Sequence, residues 1–140
     1  MSVYLDASVL VALFTNDLST ERAEAAIRRD WPLLIVSDFA AAEFASAISR
    51  RVRMNRLTVD EARSAFSTFD QWITQTAQLA TAASTDLLAA TGFLRRLDLN
   101  LCAPDAINLA IAQRVGATLA TFDEKMQTSA ARLGLSVVDV

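Results

Sequence analysis

The chain has 140 residues, a net charge of −3, 53% hydrophobic and 21% charged residues, no histidine and a single cysteine, Cys102. That length and composition suit one globular domain over residues 1–140, and exclude a disordered chain, an internal disulfide, a His-ligated zinc site and Ser-His-Asp or Cys-His catalysis. One lysine and three glycines also exclude a P-loop and a dinucleotide fingerprint, so carboxylates are left to carry any chemistry.

Residues 2–6 read as a short strand that hands over at Asp6 to a helix of about two turns ending near Thr15. Asp6 is the one charge in the apolar stretch Val3–Phe14, where an ionised carboxylate costs several kcal/mol unless it is paired or bound to a metal. Asn16-Asp17 signals a turn, Ser19 or Thr20 is placed to cap the next helix, and Pro32 is placed to end it. Leu33-Leu34-Ile35-Val36 has the continuous apolar character of a buried parallel strand. Ser37 and Asp38 then open a helix from Phe39 to about Met54, in which Glu43 is the only charge before Ile48. Arg50, Arg51, Arg53 and Arg56 crowd the far end of that helix.

Thr58-Val59-Asp60-Glu61 is a capping box. It predicts a helix to about Leu79, with Val59, Ala62, Phe66, Phe69 and Ile73 at helical spacing. Phe66, Phe69, Trp72 and Ile73 read as core or as a dimer face. A loop and a helix from about Ser84 to Leu97 follow. Pro104 suits the first turn of another helix, where Asp105 is again a lone charge in an apolar run, and Gly116 ends it. Thr118 to Phe122 reads as a strand with Asp123 at its end, followed by a helix over about 124–133 and a last strand over Ser136–Val138. Strands alternating with helices predict an α/β fold with a mainly parallel sheet and helices on both faces. Sites in such sheets lie at the carboxyl ends of strands.

Asp6, Glu43, Asp105 and Asp123 are therefore four acids that each stand as the first or only charge of an apolar segment. Asp6, Asp105 and Asp123 each have an alternative role as helix-start acids; Glu43, in mid-helix, has none. If the four converge, raised pKa values or divalent cations are required. Mg²⁺ or Mn²⁺ favours such oxygen ligands and supports water attack on a phosphodiester without histidine. The net negative charge gives no global attraction to a polyanion, so a polyanion partner would need bound cations or a local basic patch such as Arg50 and Arg53. A solvated helix end is the alternative for those arginines. Cys102 reads as a small buried hydrophobe and Lys125 as a surface charge. With no basic leader and no uncharged apolar run of the ~20 residues that span a membrane, a cytoplasmic protein is expected.

The motifs Tyr4-Leu5-Asp6-Ala7-Ser8, Ala42-Glu43-Phe44, Pro104-Asp105-Ala106 and Ala120-Thr121-Phe122-Asp123, in this order, resemble the PIN domain and, within it, the VapC-type toxin ribonucleases of toxin–antitoxin pairs. The resemblance spans essentially the whole chain and implies a three-layer α/β/α fold. It implies a metal-dependent endoribonuclease in which the four acids bind Mg²⁺ or Mn²⁺, Ser8 and Thr121 support them, and Asn108 stands where relatives often carry His or another polar residue. It also implies a homodimer and a cognate antitoxin whose C-terminal segment covers the site. A non-catalytic PIN-like module binding RNA or protein is the alternative. A haloacid-type phosphatase is disfavoured, because Ser8 occupies the place of its second Asp.

Overall fold

A computed structural model describes residues 1–29 and 33–140. Its elements run β1 (Ser2–Leu5), α1 (Ala7–Phe14), α2 (Thr20–Arg28), β2 (Leu33–Ser37), α3 (Asp38–Arg53), α4 (Val59–Thr76), β3 (Ala77–Ala80), α5 (Ser84–Arg95), α6 (Ala103–Arg114), β4 (Thr118–Ala120) and α7 (Glu124–Arg132). The sheet is parallel throughout, with strand order β3-β2-β1-β4. Val3, Tyr4 and Leu5 are all fully buried, so β1 is covered on both faces, as a central parallel strand between helical layers must be. This is the expected α/β/α architecture. Among the described residues no helix is long and apolar enough to cross a membrane.

The strand order places the site. β1 connects onward to β2 on one side, whereas β4 lies on its other side, so the crevice at the carboxyl ends of β1 and β4 is the switch point where open α/β sheets bind ligands. Asp6 directly follows β1 and Asp123 follows β4. Their strands are stitched at this end by Asp6 N–H donating to Ala120 O at 3.2 Å.

Aromatic packing holds α3 against α1. Phe44, 1% exposed, lies 5.9 Å from Phe14, 4.7 Å from Phe69 and 6.0 Å from Phe66 between ring centroids, and Phe14 also meets Trp72 at 5.4 Å. Phe66, Phe69 and Trp72 are thus core residues joining α4 to α1 and α3. Because Phe44 follows Glu43, this packing sets the rotation of α3 that turns Glu43 toward β1. The capping box of α4 forms as expected: Thr58 Oγ1 accepts Glu61 N–H and Glu61 Oε1 accepts Thr58 N–H, both at 3.1 Å. Gly116, at φ +67°, ends α6 in the left-handed conformation that favours glycine.

Four local expectations change. The helix predicted to reach Leu79 stops at Thr76, and Ala77–Ala80 forms an edge strand on β2 (Leu34↔Ala77 to Ser37↔Ala80). Ala, Gln and Leu favour a helix, and pairing with β2 overrides that preference. The last strand over Ser136–Val138 reduces to one bridge, Leu119↔Val137, flanked by two backbone hydrogen bonds of 2.9 Å. Ser19 sits at the start of α2 without a side-chain cap bond; Asp17 Oδ1 accepts its N–H at 2.8 Å, and Thr20 Oγ1 donates to Thr15 O at 2.9 Å. Cys102 is exposed rather than buried, because it precedes α6 on the surface. Pro32, expected to end α2, lies outside the described residues.

Candidate metal centre

Asp6 is 6% exposed and accepts four hydrogen bonds. Its Oδ1 takes Ser8 N–H at 3.0 Å, Ser8 Oγ–H at 2.6 Å and Val9 N–H at 3.3 Å, and its Oδ2 takes Thr121 Oγ1–H at 2.6 Å. Asp6 is therefore the cap of α1, as one sequence reading allowed, and also the most buried acid of the expected set. Burial raises its pKa, against the pull of the hydrogen bonds from Ser8 and Thr121 and the Val9 and Ser8 amides. The two hydroxyls continue the network outward: Ser8 Oγ accepts Phe122 N–H at 3.0 Å, and Thr121 Oγ1 accepts Asp123 N–H at 3.1 Å. Ser8 and Thr121 thus meet at Asp6 and lock the turn that carries Asp123.

Glu43 reaches the same end of the sheet from α3. It is half-buried, and Oε1 accepts Asn108 Nδ2–H at 2.5 Å. Its pKa is raised, first by burial and then by the charges of Asp6 and Asp105. Asp105, half-buried in the first turn of α6, accepts the Cys102 thiol at 3.0 Å, an interaction that pushes the thiol pKa up. Asp123 is exposed, and its Oδ1 caps α7 by accepting Lys125 N–H at 2.9 Å and Met126 N–H at 3.2 Å. Asp6, Glu43 and Asp105 therefore share one electrostatic neighbourhood, and Asp123 stands at its edge, engaged as a cap. Among the described residues no three acidic or thiol side chains close on a common point as metal ligands.

The donor chemistry nevertheless fits a hard divalent cation. The side chains facing the crevice offer carboxylate oxygens, and among the described residues every Lys or Arg ion pair is made by other acids, namely Asp17, Glu24, Asp86 and Asp98. Partly buried acids that act on one another electrostatically, without a basic partner among the described residues, suit Mg²⁺ or Mn²⁺ better than any softer ion.

Tyr4 and Ser37 join the site without being marked as site residues by the sequence. Tyr4, fully buried on β1, places Oη 2.6 Å from both Asn108 Oδ1 and Ser37 Oγ. Burial raises its pKa, so it is a neutral phenol able to donate. The available signal was a tyrosine inside an apolar strand, since a buried phenol needs a hydrogen-bond partner. Arg50 and Arg53 are exposed near the end of α3 and line, with Glu43, Arg51 and Arg56, a groove of about 710 Å³. Arg53 donates to Ser49 Oγ at 2.8 Å. Arg51 is held within the protein, donating to Thr15 Oγ1 at 3.1 Å and pairing with Asp17 at 3.3 Å.

Sheet order and site together define an α/β protein with an unneutralised acidic crevice at the switch point of its sheet. The chain belongs to the PIN domain family, whose model matches residues 3–132. Among solved structures the fold is similar to VapC20 from Mycobacterium tuberculosis, described as a sarcin-ricin loop cleaving toxin, with a TM-score of 0.76 and 17% identity over 97% of this chain and 98% of that one. It is also similar to VapBC2 from Rickettsia felis, solved on a DNA fragment from its promoter, with a TM-score of 0.69 and 15% identity over 99% and 98% of the two chains. FitAcB from Neisseria gonorrhoeae gives a TM-score of 0.69 and 14% identity over 98% and 96%. At these identities the likeness is one of fold. No curated protein matches the chain.

Proposed function

We propose that this chain, acting as one domain over residues 1–140, is a metal-dependent endoribonuclease and the toxin of a toxin–antitoxin pair. The observation that carries the reading is the group Asp6, Glu43 and Asp105 within electrostatic reach of one another, with no Lys or Arg paired to them among the described residues. Family membership and a fold shared with VapC20, a toxin described as cleaving the sarcin-ricin loop, support it. Asp6, Glu43, Asp105 and Asp123 would hold Mg²⁺ or Mn²⁺. The chemistry such a cation supplies when bound is activation of water and stabilisation of charge on the leaving 3′ oxygen. Ser8 and Thr121 hold both oxygens of Asp6 in place, and Asn108 holds Glu43. Asn108 contributes no proton transfer, since an amide does not titrate in this range.

Arg50 and Arg53 would bind backbone phosphates of the RNA. Arg50 lies seven positions after Glu43, about 10.5 Å along α3, so the arginines would act on a phosphate beyond the one being cut. A homodimer and a cognate antitoxin complete the reading; antitoxin complexes occur among proteins of similar fold, as in the toxin–antitoxin complex from Klebsiella pneumoniae. The site of action would be the cytoplasm, where the RNA is.

The test is the Asp6→Asn variant, assayed for RNA cleavage and for growth inhibition on expression. Both should be lost, and the parent's products should carry 5′-phosphate and 3′-hydroxyl ends. Toxicity equal to the parent's would favour the non-catalytic module, and 2′,3′-cyclic phosphate ends would exclude water as the nucleophile.

A further inference from the structure

β1 carries Asp6 at its end and Tyr4 two residues earlier, the spacing that keeps two side chains on one face of a strand. The direction of every hydrogen bond from Tyr4 to Glu43 follows from the donors available. Asn108 Nδ2 faces two acceptors, Glu43 Oε1 at 2.5 Å and Pro104 O at 3.1 Å, so the amide nitrogen must lie on that side. Its Oδ1 then faces Tyr4 and accepts the one phenolic proton at 2.6 Å. The Ser37 hydroxyl donates to Tyr4 Oη at 2.6 Å, while its own oxygen accepts Ala40 N–H at 2.9 Å. The chain therefore runs Ser37, Tyr4, Asn108, Glu43, through β2, β1, α6 and α3. Tyr4 and Ser37 are fully buried and Asn108 is 2% exposed. Among the described residues, Asn108 makes the one side-chain hydrogen bond to Glu43.

We propose that Tyr4 is a positioning residue for the candidate metal centre: by donating to Oδ1, its hydroxyl anchors the far side of the Asn108 amide and so fixes where that amide donates to Glu43, and β1 sets the second acid as well as the first. The proposal rests on the reading of Glu43 as a metal ligand. A rotated amide would turn Oδ1 toward the Glu43 carboxylate, acceptor against acceptor. Removing the phenol oxygen leaves Asn108 Oδ1 buried without a donor, which favours a shift of the amide away from its place between Tyr4 and Glu43. Partners that orient metal-binding side chains typically change metal affinity by at least about tenfold when lost.

Tyr4→Phe keeps the ring in the core and removes only the hydroxyl. Mn²⁺ titration calorimetry on the full chain, without RNA, should show affinity about tenfold weaker than the parent, and the Asn108 side-chain amide signals in ¹⁵N-correlated NMR should move or broaden before metal is added. Glu43→Gln should weaken Mn²⁺ binding as well, and adding Tyr4→Phe to it should produce no further loss. Unchanged Mn²⁺ affinity in Tyr4→Phe while Glu43→Gln weakens it, or independent losses in the double variant, would overturn the relay and leave the metal-centre reading standing. Unchanged affinity in Glu43→Gln would instead overturn the assignment of Glu43, and the relay with it. If Tyr4→Phe does not fold, Asn108→Ala breaks the same link one bond later and is read by the same Mn²⁺ titrations.

Discussion

Four donors converge on the Asp6 carboxylate, and one of them, Thr121, comes from beyond the end of β4. Thr121 is fully buried and works in both directions, donating to Asp6 Oδ2 and accepting Asp123 N–H. Replacing it with valine preserves shape and removes both interactions, leaving a buried carboxylate oxygen short of a donor. Thr121→Val should therefore destabilise the fold by about 1–3 kcal/mol in urea unfolding. A loss below a few tenths of a kcal/mol would mean that the Ser8 and backbone donors suffice for Asp6. The acids stand out in the sequence because a lone charge in an apolar run is conspicuous. Tyr4 and Ser37 do not, because a tyrosine in a strand and a serine at a helix start each have an ordinary structural explanation, and only the folded strands bring them to Asn108.

At the scale of elements, the helices with strong local signals form where the pattern places them, whereas β3 does not. A capping box and apolar spacing specify α4 from within its own residues, but Ala77–Ala80 becomes a strand only because β2 offers an unpaired edge. Local pattern cannot report a partner 43 residues away in register, as Leu34 is from Ala77. Two predictions belong to α5. Leu97, just past its end, is 91% exposed and has φ +65°, a left-handed conformation unfavourable to a side chain. Leu97→Gly should stabilise the protein by about 1 kcal/mol, measured by chemical denaturation. At its start, the buried Asp86 carboxylate receives both Arg114 Nε at 2.7 Å and Nη2 at 3.0 Å from α6, and Arg114 holds its pKa below the ordinary value. A carboxyl depressed in the folded state contributes stability that is present above its unfolded pKa of about 3.9 and lost as pH falls through the folded value. Asp86→Asn should lower stability at pH 7 and flatten the acid limb of the stability–pH curve below about pH 4. An acid limb as steep as the parent's would show that Asp86 does not set it.

Across the whole molecule, the sheet and the aromatic packing of α1, α3 and α4 force acids from distant parts of the chain to one end. Asp6 arrives on β1, Glu43 on α3 and Asp105 on α6, and no described lysine or arginine neutralises them. Folding without a cation therefore brings like charges together in a partly buried crevice, whereas the unfolded chain keeps them apart in water. A cation that binds only the folded state reverses that penalty and stabilises the protein by RT ln(1 + [L]/Kd), about 2.7 kcal/mol at a hundredfold excess over Kd. For a chain of this size that corresponds to a rise of about 5–10 °C in Tm. MnCl₂ at saturation should produce such a rise in a thermal melt, EDTA should reverse it, and RNA cleavage should disappear with it. Asp6→Asn should lose most of the rise, because it removes the charge of the most buried acid. Potassium chloride at matched ionic strength is the decisive control: it screens repulsion without occupying a site, so an equal rise in KCl would assign the effect to general charge repulsion instead of a bound cation.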